Sequence, residues 1–204
     1  TTGGNTHVAH IHSNSAAETG DIILDLTAIN GSTGMSETIV KELNDGTDIS
    51  YSELLELNGY VNAHLSETDL GTLVAQGDIG QNELTTTSTT YSLAAVNTSG
   101  ISGVVTFAKR ISGATLVKVD LIGASAAGNY PIHIYDNSLA TTGPVAVTLN
   151  NYNGATGKSV TTIRMLNNNT AITYDQLRAF NGHIKVSNSA IDAAAVAEGN
   201  IGAN

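Results

Sequence analysis

Short stretches of alternating apolar and polar residues, broken by turns rich in Gly, Asn and Ser, run the length of the chain. That two-residue period is the signature of half-buried strands. It predicts strands at His7–His12, Asp21–Leu26, Tyr60–His64, Leu73–Ile79, Tyr91–Val96, Gly103–Ala108 and Ala114–Leu121. Ile111-Ser-Gly-Ala114 reads as a hairpin turn between the last two. Two short segments break the pattern. Ser50 with Glu53, and Thr173 with Gln176, have capping-box spacing, and each is followed by an Asn-Gly stop. Both are expected to be short helices in a mostly β fold.

The pattern repeats. A shift of 123 residues lays His10 on His133, Gly20 on Gly143 and Leu26 on Leu149. From Gly34 to Gly59 the ungapped comparison with 157–182 gives 11 identities in 26 positions. One deletion later Gly77-Asp-Ile-Gly80 meets Gly199-Asn-Ile-Gly202. A fixed register over this span marks an internal duplication of residues 1–80 in 124–204. Three strands, within about 81–123, occur once and lead into the second copy. Two units are therefore expected, 1–88 and 89–204, with the first lacking the N-terminal strands of the second. Open edges and an uncovered sheet need completion. It would come from a longer chain, from the 81–123 strands, or from another subunit by strand donation.

Composition narrows the function. The chain has 204 residues, net charge −10 and only 8 Lys and Arg. Clustered positive charge for nucleic acid or anionic membranes is missing. With no cysteine, thiolate metal sites and cysteine catalysis are excluded. No apolar run spans a bilayer and no signal peptide is present, so the chain reads as a mature or trimmed form. Low charge with abundant Thr, Asn, Ser and Gly points outside the cell.

Three of the six histidines lie within Asn5-Thr-His7-Val-Ala-His10-Ile-His12. On a strand His10 and His12 project to one face and His7 to the other. Paired imidazoles on a rigid strand suit copper or zinc, and His64 is the best third ligand. The alternative is a polar, solvent-facing strand edge. The second copy keeps His133 but has Tyr135 for His12 and Ser187 for His64, while His183 stands at the position of Tyr60. Metal binding is expected in the first copy alone.

Other motifs fail. Gly154-Ala-Thr-Gly-Lys-Ser159 lacks the first glycine of a phosphate loop, because position 152 is Tyr152. There is no Gly-x-Ser-x-Gly elbow and no EF-hand spacing. Asn- and Asp-rich turns offer oxygen ligands suited to calcium. Asn30-Gly-Ser, Asn97-Thr-Ser and Asn168-Asn-Thr match the glycosylation pattern and are read as turns.

His10-Ile-His12, Gly20, Asn58-Gly-Tyr-Val-Asn-Ala-His64 and Gly77-Asp-Ile-Gly80 resemble the CHRD (chordin-type) domain found in secreted bacterial proteins. So do Tyr130-Pro-Ile-His133 and Gly143-Pro-Val-Ala-Val147 of the second copy. CHRD units are in turn similar to the Cu/Zn superoxide dismutase sandwich. The resemblance implies two superoxide-dismutase-like Greek-key β-sandwich units with one short helix each. It implies His10, His12 and His64 as copper ligands, with His7 in support. The bridging histidine, the zinc loop and any arginine in residues 1–80 are missing, so dismutase activity is not expected. The leading expectation is an extracellular structural or adhesive protein that self-associates, as a filament or surface layer. A copper-binding module is the alternative.

Overall fold

The computed structural model describes residues 6–204, and the fold is mostly β. The chain divides into two compact units, Thr1–Glu83 and Leu84–Asn204.

The first unit holds β1 (Thr6–Ser13), β2 (Ile22–Asn30), α1 (Tyr51–Leu55), β3 (Asn58–Ser66) and β4 (Asp69–Gly80). Its four strands form one antiparallel sheet in the order β2-β1-β3-β4. Ala9 and Ile11 of β1 pair with Ala63 and Val61 of β3. Ala9, Ile11 and Ala63, with Leu24 of β2, make the unit's buried apolar face, and Val61 is half-buried; Ala9 is 2% exposed. Alternation places His10 and His12 on the opposite face.

The second unit holds β5 (Leu84–Ala95), β6 (Ser102–Arg110), β7 (Thr115–Ile122), β8 (Asn129–Asp136), β9 (Val145–Asn153), β10 (Ser159–Ile163), α2 (Tyr174–Arg178), β11 (Asn181–Ser187) and β12 (Ala195–Gly202), with a 3₁₀ turn at Leu139–Thr141. The strand order is β10-β7-β6-β5-β12-β11-β8-β9, one nearly closed sheet. Val105, Phe107, Val117, Ile132, Ile134 and Ile184 fill its interior, each no more than 1% exposed.

Both capping boxes form. Glu53 N donates to Ser50 Oγ while Ser50 N donates to the Glu53 carboxylate. Gln176 and Thr173 repeat the arrangement. A capping box satisfies two of the amides that a helix start leaves without partners, which holds even a five-residue helix in place.

One feature departs from the expected element order. Ser159–Ile163 is a strand because β7 pairs with it along its whole length. The corresponding Ser36–Val40 of the first unit has no such neighbour and is not a strand. The first unit is thus a single sheet rather than two packed layers, since nothing in it corresponds to β5–β7 among the described residues. Among the described residues no helix is long and apolar enough to cross a membrane.

Candidate metal centre

The centre is built by register. In the β1–β3 pairing His10 stands opposite Asn62 and His12 opposite Tyr60. His64 lies two residues beyond Asn62 on β3, so all three histidines share one face of the sheet. A register shift between β3 and β4 falls at His64, where the strand pairing moves from Ala63–Ala75 to His64–Leu73. The irregularity lets the Leu70 carbonyl reach the His64 ring, which donates Nδ1–H to it at 2.7 Å.

The three imidazoles each offer one nitrogen, and these atoms lie within 4.8 Å of one another. Ring centroids of His10 are 6.1 Å from His12 and 5.3 Å from His64. No other group of three His, Cys, Asp or Glu ligands is as close among the described residues. The second nitrogen of each ring is turned to an oxygen acceptor. His12 Nδ1–H donates to the Gly20 carbonyl at 3.0 Å. His10 Nε2 sits 3.6 Å from the Asp25 carboxylate. Such outer contacts fix tautomer and ring direction in metal-binding histidines. They leave His10 Nδ1, His12 Nε2 and His64 Nε2 as the ring nitrogens that carry lone pairs, and the Asn62 amide donates to that of His12.

His10 carries the strongest sign of fit to a cation. Its Nδ1 is buried and meets no hydrogen-bond partner. An orphaned buried polar atom is costly unless something satisfies it. Burial first, then His64 and His12, push the His10 imidazole below its ordinary value, against the opposing pull of Asp25. The ring is thereby held neutral, the form a metal requires. His12 Nε2 is approached by the Asn62 amide at 3.4 Å, and Gln76 donates to the Asn62 side-chain oxygen at 2.8 Å. Three nitrogen donors in a half-buried site suit copper or zinc better than calcium, which takes oxygen.

His7, on the other face, donates Nδ1–H to the His64 carbonyl at 3.1 Å. It therefore touches the backbone that carries a candidate ligand. Sequence reading missed Asp25, Asn62 and the Leu70 carbonyl. Asp25 and Asn62 were accessible from strand alternation and pairing, whereas the Leu70 contact depends on the irregularity at His64.

The second unit keeps His133 at the position of His10, but Tyr135 and Ser187 supply no nitrogen. His183 is fully buried and donates Nδ1–H to the Asn137 carbonyl at 2.7 Å. Compared with known proteins, the chain matches no family model, no curated protein and no solved structure.

Proposed function

We propose that this protein is a self-associating structural subunit of the secreted kind, built from two chordin-type units. One observation carries the reading. Positions that are sealed in the second unit are bare in the first. Tyr174 is 1% exposed and its counterpart Tyr51 is 76% exposed. Val196 is 7% exposed, and Val74 is 48% exposed. The first unit also has an open groove of about 390 Å³ whose lining includes Leu26, Ile29 and Val61. Apolar surface left in water costs roughly 25 cal/mol per Å², so burying it favours association. Sedimentation across a concentration series tests the reading. Mass should rise with concentration; a monomer at every concentration would sink it.

The histidine geometry favours a second, compatible property: the first unit binds copper through His10 Nδ1, His12 Nε2 and His64 Nε2. The orphaned His10 Nδ1 is its support. Copper titration followed by electron paramagnetic resonance tests it. One copper per chain with nitrogen hyperfine structure is expected, and the same spectrum from His12→Ala would refute it.

A further inference from the structure

We infer that the free edge of β4 in the first unit receives a strand from the second unit of another copy of this chain, giving head-to-tail growth. This rests on the self-association proposed above and adds the surface, the partner and the polarity.

The duplication supplies the reference. In the second unit, β5 lies along β12, with Ala197 opposite Ala95 and Glu198 opposite Ala94. Its approach is close at Gly199: a Cβ there would fall 2.1 Å from the Ser92 carbonyl oxygen. Glycine is needed at 199 because another backbone occupies the space a side chain would take. Gly77 stands at the same place on β4, and a Cβ there would meet nothing within 4 Å. The first unit thus keeps the glycine that admits a strand, with no strand present. Ser36–Val40 tells the same story from the other edge. Its counterpart Ser159–Ile163 is a strand against β7, while Ser36–Val40 has only coil.

Charge selects the partner. Residues 1–83 carry thirteen carboxylates against Lys41 alone, a formal −12. Residues 84–204 carry five carboxylates and seven Lys or Arg, a formal +2. Two first units repel, and a first unit attracts a second. The two edges are also suited to each other. Leu70–Gly77 of β4 holds no charged residue, and neither does Leu84–Ala95. β5 pairs with β12 at Ala94 and Ala95, and Leu84–Thr89 lies outside that pairing. An uncharged, Thr-rich flank without charge or proline to blunt it is a template for pairing. One such edge on each unit makes a heterologous contact, which grows into an open polymer unless its rotation closes a ring.

The absence of cysteine makes a direct test available. Val74→Cys on β4 and Thr86→Cys on β5 are made in separate full-length chains, one of them isotopically labelled, then mixed and oxidised. The mixed disulfide should account for most of the crosslinked product. A majority of Val74→Cys homodimers would overturn the polarity, as would self-association without any mixed disulfide. A chain that stays monomeric would instead overturn the self-association itself. A second variant, Gly77→Val, should leave the monomer's circular dichroism and melting unchanged and abolish assembly. Undiminished assembly of Gly77→Val would refute strand addition at β4.

Discussion

The His12 ring stacks on Tyr60, with centroids 4.8 Å apart and an interplanar angle of 15°. The second unit builds the same stack with the identities exchanged: Tyr135 on β8 lies against His183 on β11, at 5.2 Å and 11°. Both are directly opposed cross-strand pairs. The stack belongs to the packing of the unit, and the strand that carries the imidazole decides whether it joins the three-histidine cluster. On β1 it stands beside His10 and His64; on β11 it is sealed and bonded to Asn137.

That exchange can be imposed on the first unit. The double variant His12→Tyr with Tyr60→His should keep the fold, because an aromatic pair worth about 0.5–1.5 kcal/mol survives. Its thermal midpoint should lie within about 8 °C of the parent. Copper binding should be lost. Circular dichroism melting and a copper titration on the same sample check both halves. A variant that unfolds, or one that still binds copper at parental affinity, contradicts the account.

His64→Ser reproduces Ser187 of the second unit at the candidate centre. Losing one of three nitrogens should weaken copper binding by about 100-fold or more. His7→Gln removes only the contact to the His64 carbonyl, and a loss of about 10-fold is expected, the scale of an outer-shell partner. Competition against a chromophoric chelator measures both. Equal effects from the two substitutions would mean that His64 acts by positioning and not as a ligand.

Much of this site was legible because period and repeat agree. Alternation put His10 and His12 on one face, the 123-residue shift paired every change between the copies, and the capping boxes named both helix starts. What escaped depends on partners distant in sequence. Ser36–Val40 and Ser159–Ile163 have similar local propensity, and only pairing with β7 makes the second a strand. Likewise Val74 and Val196 are the same residue type with opposite burial, which is decided by whether β5 lies alongside. Local sequence carries no trace of a missing neighbour, except at Gly77.

Acid should loosen the second unit through His133. Burial holds this imidazole below its usual value of 6.5. The unfolded chain therefore takes up a proton near pH 6.5 that the folded unit resists. Stability is fully present above that pH and is lost as pH falls toward the lowered folded value. Hydrogen exchange of the β8 and β11 amides should quicken between pH 7.5 and 5.5 after correction for intrinsic rates. His133→Gln should flatten that dependence. A slope unchanged in His133→Gln would assign it to other groups.

Tyr51 and Tyr174 give the sharpest comparison between the units. Tyr174 is sealed beneath β5–β7. Its hydroxyl bonds the Thr89 hydroxyl at 3.0 Å, and its amide donates to the Gly113 carbonyl. Lys109 lies 5.9 Å from its ring centroid and 2.6 Å from the neighbouring Asp175 carboxylate. Truncation to alanine removes a fully packed aromatic, and a cost of about 3–5 kcal/mol to the second unit is expected. Tyr51 begins an equivalent helix with an equivalent cap, yet its side chain is mostly in water. In dilute, monomeric protein Tyr51→Ala should change stability by no more than about 0.5 kcal/mol. In the associated state the same substitution should weaken assembly, because a covering layer would restore the contacts that Tyr174 has. Urea unfolding below the association threshold, set beside sedimentation above it, separates the two effects. A loss from Tyr51→Ala in the monomer as large as that from Tyr174→Ala would show that the inner face of the first unit is already covered within one chain, and the case for a second copy would fall with it.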